Sequence, residues 1–465
     1  MTRVVGILNN IVPYHHARWE AFAQSAGVGC EVVEFTNRDA FCVLEFAAGA
    51  RYRRRTLFPS DTTEVISGKA LNCAMAAALE EFRPEVVCIS GYAFRVSLAA
   101  LQWAVRRGVP VVVLSESNEF DEPRSAFKEF IKRRVVGLCS AGLAGGTPQK
   151  EYLVKLGLAP KKVFLGYDVV DNRHFEDKVA ESKERKAESG EEREGNAETP
   201  KAGSGMLEAE IRPPSSVLRL QYGLPERYFL ACSRFGEKKN IPRLIQAYAK
   251  YREKAEKLKA EMLKSEGNKP LVDHRPQTTG LQDASDVPLS SSPVVPWSLV
   301  IVGDGEKRPE IEATISRLGV AGGVHLAGAK SFGDIPAYYA LAGAFVHAST
   351  TEQWGLVVNE AMASGLPVLV SSRCGCAPDL VQEGVNGFTF DPYNVEELAQ
   401  LMFKISAFQP SSLSACGDAS RRIIADWGPD RFASGLKSAS ECALRVGPAK
   451  PTLLQRILLH LLLRR

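Results

Sequence analysis

The sequence predicts an α/β protein built as two Rossmann-like, parallel-sheet domains facing a cleft. Three observations carry this. Short apolar runs alternate with helical stretches in two separate sets, over residues 1–175 and 217–429, the pattern of parallel sheets covered by helices. A polar, charged stretch at 176–216 parts the sets. The chain has 465 residues, long for one domain and natural for two.

In the first set, Val4–Leu8, Cys30–Phe35, Val86–Ser90, Val109–Ser115 and Val163–Leu165 read as strands, because continuous apolar runs suit strands buried on both faces. Arg18–Ala26, Gly68–Phe82 and Ser97–Arg107 read as the helices between them. Glu176–Ser216 is rich in Glu, Lys, Arg, Ser and Gly. It has too few large apolar side chains to order itself, and reads as a disordered linker.

The second set starts at Tyr228–Ser233 and runs through Ser298–Val302, Val324–Ala327, Ala344–Ser349 and Pro367–Ser371. A polar insert at about 265–296 reads as a long surface excursion. A last helix occupies 430–450. The tail at 451–465 repeats Arg456, His460 and Arg464 four residues apart among Leu and Ile. Such a helix is too short to span a bilayer and fits an anionic membrane surface; a docked helix or a subunit contact is the other reading. Arg51–Arg55 and the helix bearing Lys128, Lys132, Arg133 and Arg134 beside Phe127 and Phe130 are further basic, membrane-facing candidates.

Net charge is only +4, which gives no case for nucleic acid as a partner. The ten cysteines are scattered, mostly in apolar contexts, and read as small buried hydrophobes in a reducing compartment. Cys374-Gly-Cys376 lacks a neighbouring His or second Cys pair in sequence, so it reads the same way. The first residues form a strand at once, without the pattern of a signal peptide. The expectation is a cytoplasmic protein, peripheral on the inner face of a membrane.

The most informative window is Thr350–Val370, T-T-E-Q-W-G-L-V-V-N-E-A-M-A-S-G-L-P-V-L-V. Glu352 falls on the loop after a buried strand. Gly355–Ser364 reads as a helix, stopped by Gly365, and Glu360 lies inside it. The exposed amides at its start, Gly355 and Leu356, make an anion site. Two carboxylates flanking that site suit a ligand that is phosphate at one point and polyhydroxyl at two others, a nucleotide sugar. Upstream, Arg234 and Lys239 stand five apart across a strand-to-helix turn, where two cations suit a diphosphate. Gly303-Asp-Gly305 ends the next strand, and its glycines permit close backbone approach to a ligand. Lys330 follows the strand after that. In the first set, Glu116 ends the fourth strand, and Asn10, Tyr14 and His15 lie on the loop after the first. His15 and His16 lack a third ligand and read as cleft lining.

The string Glu352, Gly355, Glu360, Ala361, Met362, Ala363, Gly365, Pro367, Val368 resembles the donor site of the retaining, GT-B-type family 4 glycosyltransferases. The resemblance covers most of the second set and is thin over the first. It implies the GT-B architecture, with the last helix returning to the first domain. It implies that Glu360 binds ribose, Glu352 faces the transferred sugar, Gly355 and Leu356 receive a phosphate, and Arg234 and Lys239 neutralise the departing diphosphate. Gly303, Gly305 and Lys330 would border the nucleotide. Glu116 stands where many members carry a His, and Asp379 where the family's turn carries a Glu. Asn10, Tyr14 and His15 would lie on the acceptor side, with a sugar or lipid-linked acceptor that the sequence does not identify. No Asp-x-Asp pair occurs, so neither a metal nor any other cofactor is expected beyond the nucleotide sugar. An epimerase of the same fold and a catalytically silent membrane scaffold are the two other readings.

Overall fold

The computed structural model describes residues 1–25, 27–37, 49–59, 66–179, 215–266 and 295–463. Most of the linker and of the polar insert, together with Arg464 and Arg465, lies outside the described residues.

Two parallel sheets form the frame. The first holds β1 (Thr2–Leu8), β2 (Val28–Glu34), β3 (Arg53–Thr56), β4 (Val86–Ser90), β5 (Val111–Ser115), β6 (Ala141–Ala144) and β7 (Val163–Leu165), in the order β3-β2-β1-β4-β5-β6-β7. The second holds β8 (Tyr228–Cys232), β9 (Ser298–Val302), β10 (Val324–Gly328), β11 (Ala344–His347), β12 (Val368–Ser371) and β13 (Gly387–Phe390), in the order β10-β9-β8-β11-β12-β13. Every pairing is parallel, for example Val4 with Cys30 and Val86, and Leu230 with Val300 and Phe345. In each sheet the strand order reverses beside the first strand, between β1 and β4 and between β8 and β11. Open sheets bind ligands outside the carboxyl ends of the strands at such a reversal. The two crevices face one another across the cleft.

Three strands were not foreseen. Ala141–Ala144 is short and small-sided, and Gly387–Phe390 opens on glycine. The third is the basic run itself. Arg53–Thr56 is an edge strand whose arginines pair with buried glutamates of β2: Arg54 with Glu34 at 2.8 Å and Arg55 with Glu31 at 2.7 Å. Arg53 pairs with Glu81 at 2.5 Å and Arg51 with Glu20 at 3.5 Å. This corrects the reading of Arg51–Arg55 as a free basic patch, because carboxylates distant in sequence neutralise it.

The segment after β7 crosses to the second domain, where Phe175 meets Phe332 and Tyr339 edge-on at 6.3 and 5.7 Å. Residues 172–179 are helical, with Phe175 and Val179 buried. The helix Pro429–Val446 leaves the second domain and packs on the first, against the helix Pro13–Ala23 and strands β6 and β7. Phe432 meets Trp19 edge-on at 5.5 Å. The helix Leu453–Leu462 follows. It docks on the helices Arg95–Arg107 and Ala126–Val136 through Leu459, buried, and Gln455, whose amide donates to the Arg134 carbonyl at 2.9 Å. Its other side leaves Leu453, Ile457 and Leu461 at 74%, 47% and 54% exposure. Among the described residues no helix is long and apolar enough to cross a membrane.

Candidate active site

The second-domain wall of the cleft is made by the loops after β8 and β11. After β8 the chain turns through Ser233–Asn240. Asn240 adopts a left-handed conformation (φ 58°), and its amide donates to the Ala348 and Pro392 carbonyls at 3.0 and 2.8 Å. This pins the loop against the end of β11. Sequence reasoning passed over Asn240, although Asn next to a turn lysine is a visible signal for left-handed backbone. Gly303 (φ 139°) and Gly305 (φ 153°) let the β9 loop lie against this one. A side chain at Gly303 would strike the Ser233 carbonyl, and one at Gly305 would come 2.8 Å from the Phe235 carbonyl. Both glycines therefore bring two loops together at the site.

Lys239 reaches Glu352, and the two are ion-paired. Arg234, on the same loop, is exposed. Glu352 also faces His347, with Nε2 3.4 Å from the carboxylate, and Ser349 Oγ lies 3.1 Å from the same ring nitrogen. Burial opposes ionisation of Glu352, but contacts with His347 and Lys239 outweigh it and hold the carboxyl at about 2. Burial likewise works against protonated His347, yet contacts with Cys374 and Glu352 push it up to about 9. The site is thus a carboxylate between two cations. The sequence alone makes Cys374 a plain buried hydrophobe, because no His stands near it in the chain. The fold brings His347 to it, and the Cys376 sulfur to 3.5 Å. Among the described residues no cluster of three or more His, Cys, Asp or Glu is arranged to hold a metal.

Gly355 starts the helix Leu356–Ala363 with φ 103°, a conformation that favours glycine. A side chain there would come 2.7 Å from Cys374 Sγ and 3.4 Å from Glu352 Cγ. The start of this helix, with Leu356, therefore sits directly beside Glu352. Glu360, just over one turn on, is buried at 1% exposure. Tyr339 donates to Oε2 at 2.6 Å, and Tyr14, from the first domain, donates to Oε1 at 2.5 Å. Burial raises the Glu360 carboxyl to about 7, against the two tyrosine hydrogen bonds. Glu360 is therefore already engaged through both oxygens. Tyr14, expected on the acceptor side, is thus joined across the cleft to the second-domain carboxylate Glu360. Phe332 locks it there: it meets Tyr14 edge-on at 5.6 Å and stacks on His174 at 4.2 Å. Lys330 lies outside this cluster, exposed, with Nζ 5.5 Å above the Tyr338 ring.

The first-domain wall carries Asn10, His15 and Glu116, which line one cavity of about 420 Å³ together with Gln353 of the second domain. His15 Nδ1 lies 3.1 Å from the Asn10 carbonyl, and burial beside Arg18 lowers the ring to about 3, so it is neutral. The two walls are stitched together. Asn118 donates to the Glu352 and Gln353 carbonyls at 3.2 and 3.0 Å. Asp379 accepts from the Thr147 N–H at 2.8 Å and from its hydroxyl at 2.6 Å. Asp379 thus caps a first-domain helix.

Residues 287–422 match the family profile described as Glycosyl transferases group 1. The chain is 32% identical over 153 residues to the sulfoquinovosyl transferase SQD2 of Arabidopsis thaliana, covering 31% of this chain and 28% of that protein. It is 30% identical over 112 residues to the lipopolysaccharide glucosyltransferase WaaG of Escherichia coli, covering 24% of this chain and 29% of that protein. The matches thus span less than a third of either relative. Among solved structures, sucrose-phosphate synthase from Thermosynechococcus elongatus superposes with a TM-score of 0.62 at 16% identity, covering 94% of this chain and 98% of that one. Anabaena HepE in complex with UDP superposes with a TM-score of 0.59 at 15% identity, covering 94% and 98%. At such identities the superpositions establish the fold alone, the two-domain GT-B arrangement.

Proposed function

We propose that this GT-B chain, whose second domain matches glycosyl transferases group 1, is a retaining glycosyltransferase that moves a sugar from a nucleoside-diphosphate sugar to a sugar or lipid-linked acceptor. The observation that carries the reading is the convergence of Lys239, Glu352, the start of the helix Leu356–Ala363 and Glu360 at the reversal between β8 and β11. Arg234 and Lys239 would take the diphosphate, helped by the Gly355 and Leu356 amides. Glu352, kept ionised, would face positive charge developing at the anomeric carbon. The leaving phosphate oxygen would take the acceptor's proton, so the protein supplies position and charge rather than a dedicated base. Gly303, Gly305 and Lys330 would border the nucleotide. The test is a screen of nucleoside-diphosphate sugars that reads nucleotide release and product together. Release with a glycosylated acceptor supports transfer. A changed free nucleotide sugar would instead establish epimerisation.

The same reading takes no metal and no cofactor, since the charge of the leaving group would be met by Arg234, Lys239 and helix amides. Turnover is expected to persist in excess EDTA. Loss of turnover that returns with Mg²⁺ or Mn²⁺ would refute metal independence.

A membrane surface is the proposed setting. The helix Leu453–Leu462 docks by one face and turns Leu453, Ile457 and Leu461, spaced i, i+4, i+8, outward. Exposed Phe127 and Phe130 lie on the adjoining helix Ala126–Val136, which carries Lys128, Arg133 and Arg134. Apolar ridges edged by cations suit an anionic bilayer. Truncation after Lys450 is expected to weaken binding to phosphatidylglycerol vesicles severalfold in co-sedimentation. Equal sedimentation of both proteins would make the helix a docking element only.

A further inference from the structure

Beside the start of the helix Leu356–Ala363 lies a pair of sulfurs that the proposed transfer does not use. Cys374 and Cys376 are 2% and 0% exposed, and their Sγ atoms are 3.5 Å apart. The segment that carries them is bonded to the loop that carries Glu352. The Gly375 N–H donates to the Glu352 carbonyl at 3.1 Å, the Cys376 N–H to the Trp354 carbonyl at 3.1 Å, and the Glu352 N–H to the Arg373 carbonyl at 3.3 Å. In its thiol form Cys374 donates to the same Trp354 carbonyl, with Sγ 2.8 Å from the oxygen. A change at the sulfurs therefore reaches Glu352 through backbone.

Gly355 gives the Cys374 sulfur its one thin cover. The glycine is half-buried, and a side-chain carbon there would lie 2.7 Å from Cys374 Sγ, 3.4 Å from Glu352 Cγ and 3.7 Å from His347 Nε2. Without that carbon, a thiol, a carboxylate and an imidazole all border one small space at a helix start. A protonated His and a helix N-terminus are the surroundings that favour a thiolate. Burial pushes the Cys374 thiol up, but the Cys376 thiol and His347 outweigh it and bring it below an ordinary thiol. Burial raises Cys376. One sulfur thus gives up its proton while its neighbour keeps one, the division between an attacking and a resolving thiol.

We propose that Cys374 and Cys376 form a peroxide-reactive site whose disulfide weakens the grip of the donor site on a nucleoside diphosphate. The Cys374 thiolate attacks a peroxide oxygen: an S–O bond forms, the O–O bond breaks and hydroxide leaves, so that sulfur is oxidised and peroxide reduced. The Cys376 thiol then attacks the sulfenic sulfur: the S–S bond forms, the S–O bond breaks, and hydroxide leaves with the Cys376 proton as water. A dithiol reverses the step by exchange. The disulfide takes a negative partner from His347, which then holds its proton less firmly. Glu352 leans more on Lys239, with which it is already ion-paired, and leaves that cation less free for phosphate. Drawing the sulfurs from 3.5 Å to a bond of about 2.0 Å also pulls Gly375 and the Glu352 carbonyl bonded to it.

The effect on binding rests on the nucleotide-sugar reading; the disulfide does not, and the test reads the two separately. The full chain, reduced and freed of reductant, is treated with hydrogen peroxide and digested for mass spectrometry. The peptide bearing both cysteines should lose two hydrogens before exposed Cys73 is oxidised, and regain them in dithiothreitol. Cys376→Ser should stop at the sulfenic acid, captured on Cys374 by dimedone. Calorimetry with UDP, ADP and GDP should then find oxidised wild type roughly 10-fold weaker than reduced for whichever binds, the worth of one charge-assisted contact, with recovery in dithiothreitol. Cys374→Ser should bind equally before and after peroxide. A pair that stays reduced, or Cys73 oxidised ahead of it, overturns the proposal and leaves the transferase reading standing. A disulfide that leaves nucleotide affinity unchanged does the same. Failure of reduced wild type to bind any of the three refutes the nucleotide-sugar reading and the control of binding with it, while the peptide mass still decides the disulfide.

Discussion

Lys239→Ala is expected to weaken nucleoside-diphosphate binding roughly 10- to 150-fold, the loss of one charge-assisted contact of about 1.5–3 kcal/mol. Lys239 is ion-paired with Glu352 and stands on the loop that Asn240 anchors to the end of β11. On the proposed reading an arriving diphosphate shares it with Glu352. Removing it does not leave Glu352 alone, because His347, held protonated up to about 9, remains 3.4 Å away. The fold of the site should therefore survive, and the loss should fall on binding. The His347 contribution has a defined sign. Its folded value lies above its ordinary 6.5, so the stability it adds is complete below about 6.5 and is lost as pH rises through about 9. The variant, with His347 as the remaining cation beside Glu352, should be more sensitive than wild type to that rise. Isothermal titration with UDP, ADP and GDP decides the matter: affinities equal to wild type would remove Lys239 from the donor site.

The second large effect is centred on Glu360. Its carboxyl is raised from 4.5 to about 7 by burial, so the native state binds the proton more tightly than the unfolded chain does. The stability this confers is full below about 4.5 and is lost as pH rises through about 7. Glu360→Gln has no proton to lose. Relative to that variant, wild type should lose about 3 kcal/mol between about pH 4.5 and about pH 8, each tenfold difference in proton affinity being worth about 1.4 kcal/mol. Denaturant midpoints at the two pH values measure it, and parallel curves for the two proteins would show that Glu360 titrates normally. If Glu360 takes the ribose, as the resemblance implies, Tyr14 competes with it for the same carboxylate. Tyr339 keeps one Glu360 oxygen and Tyr14 occupies the other. Tyr14→Phe should accordingly tighten nucleoside-diphosphate binding by roughly 10-fold. Weaker binding in Tyr14→Phe would mean instead that the phenol contacts the ligand directly.

Residue order alone dictates the two sets of parallel strands, the loops at their carboxyl ends and the placing of Arg234, Lys239, Glu352 and Glu360 around the β8 and β11 crevice. These are local properties. An apolar run makes a buried strand, glycine ends or starts a helix, and a charge next to such a turn must lie at the mouth. The signal failed where a strand departed from the apolar rule, as in Arg53–Thr56, whose charges are met by Glu31 and Glu34 of the neighbouring strand. Which side chains meet is a property of the packed domains and is written nowhere in the local pattern. Tyr14 reaches Glu360 across 346 residues of chain. His347 turns toward Cys374 and Glu352, Asp379 caps a helix of the other domain, and Arg18 lies between Tyr167 and Asp168. No periodicity records such pairs. They arise from packing two domains face to face, where burial forces each polar atom to find a partner and the partner comes from whatever strand end the topology places opposite.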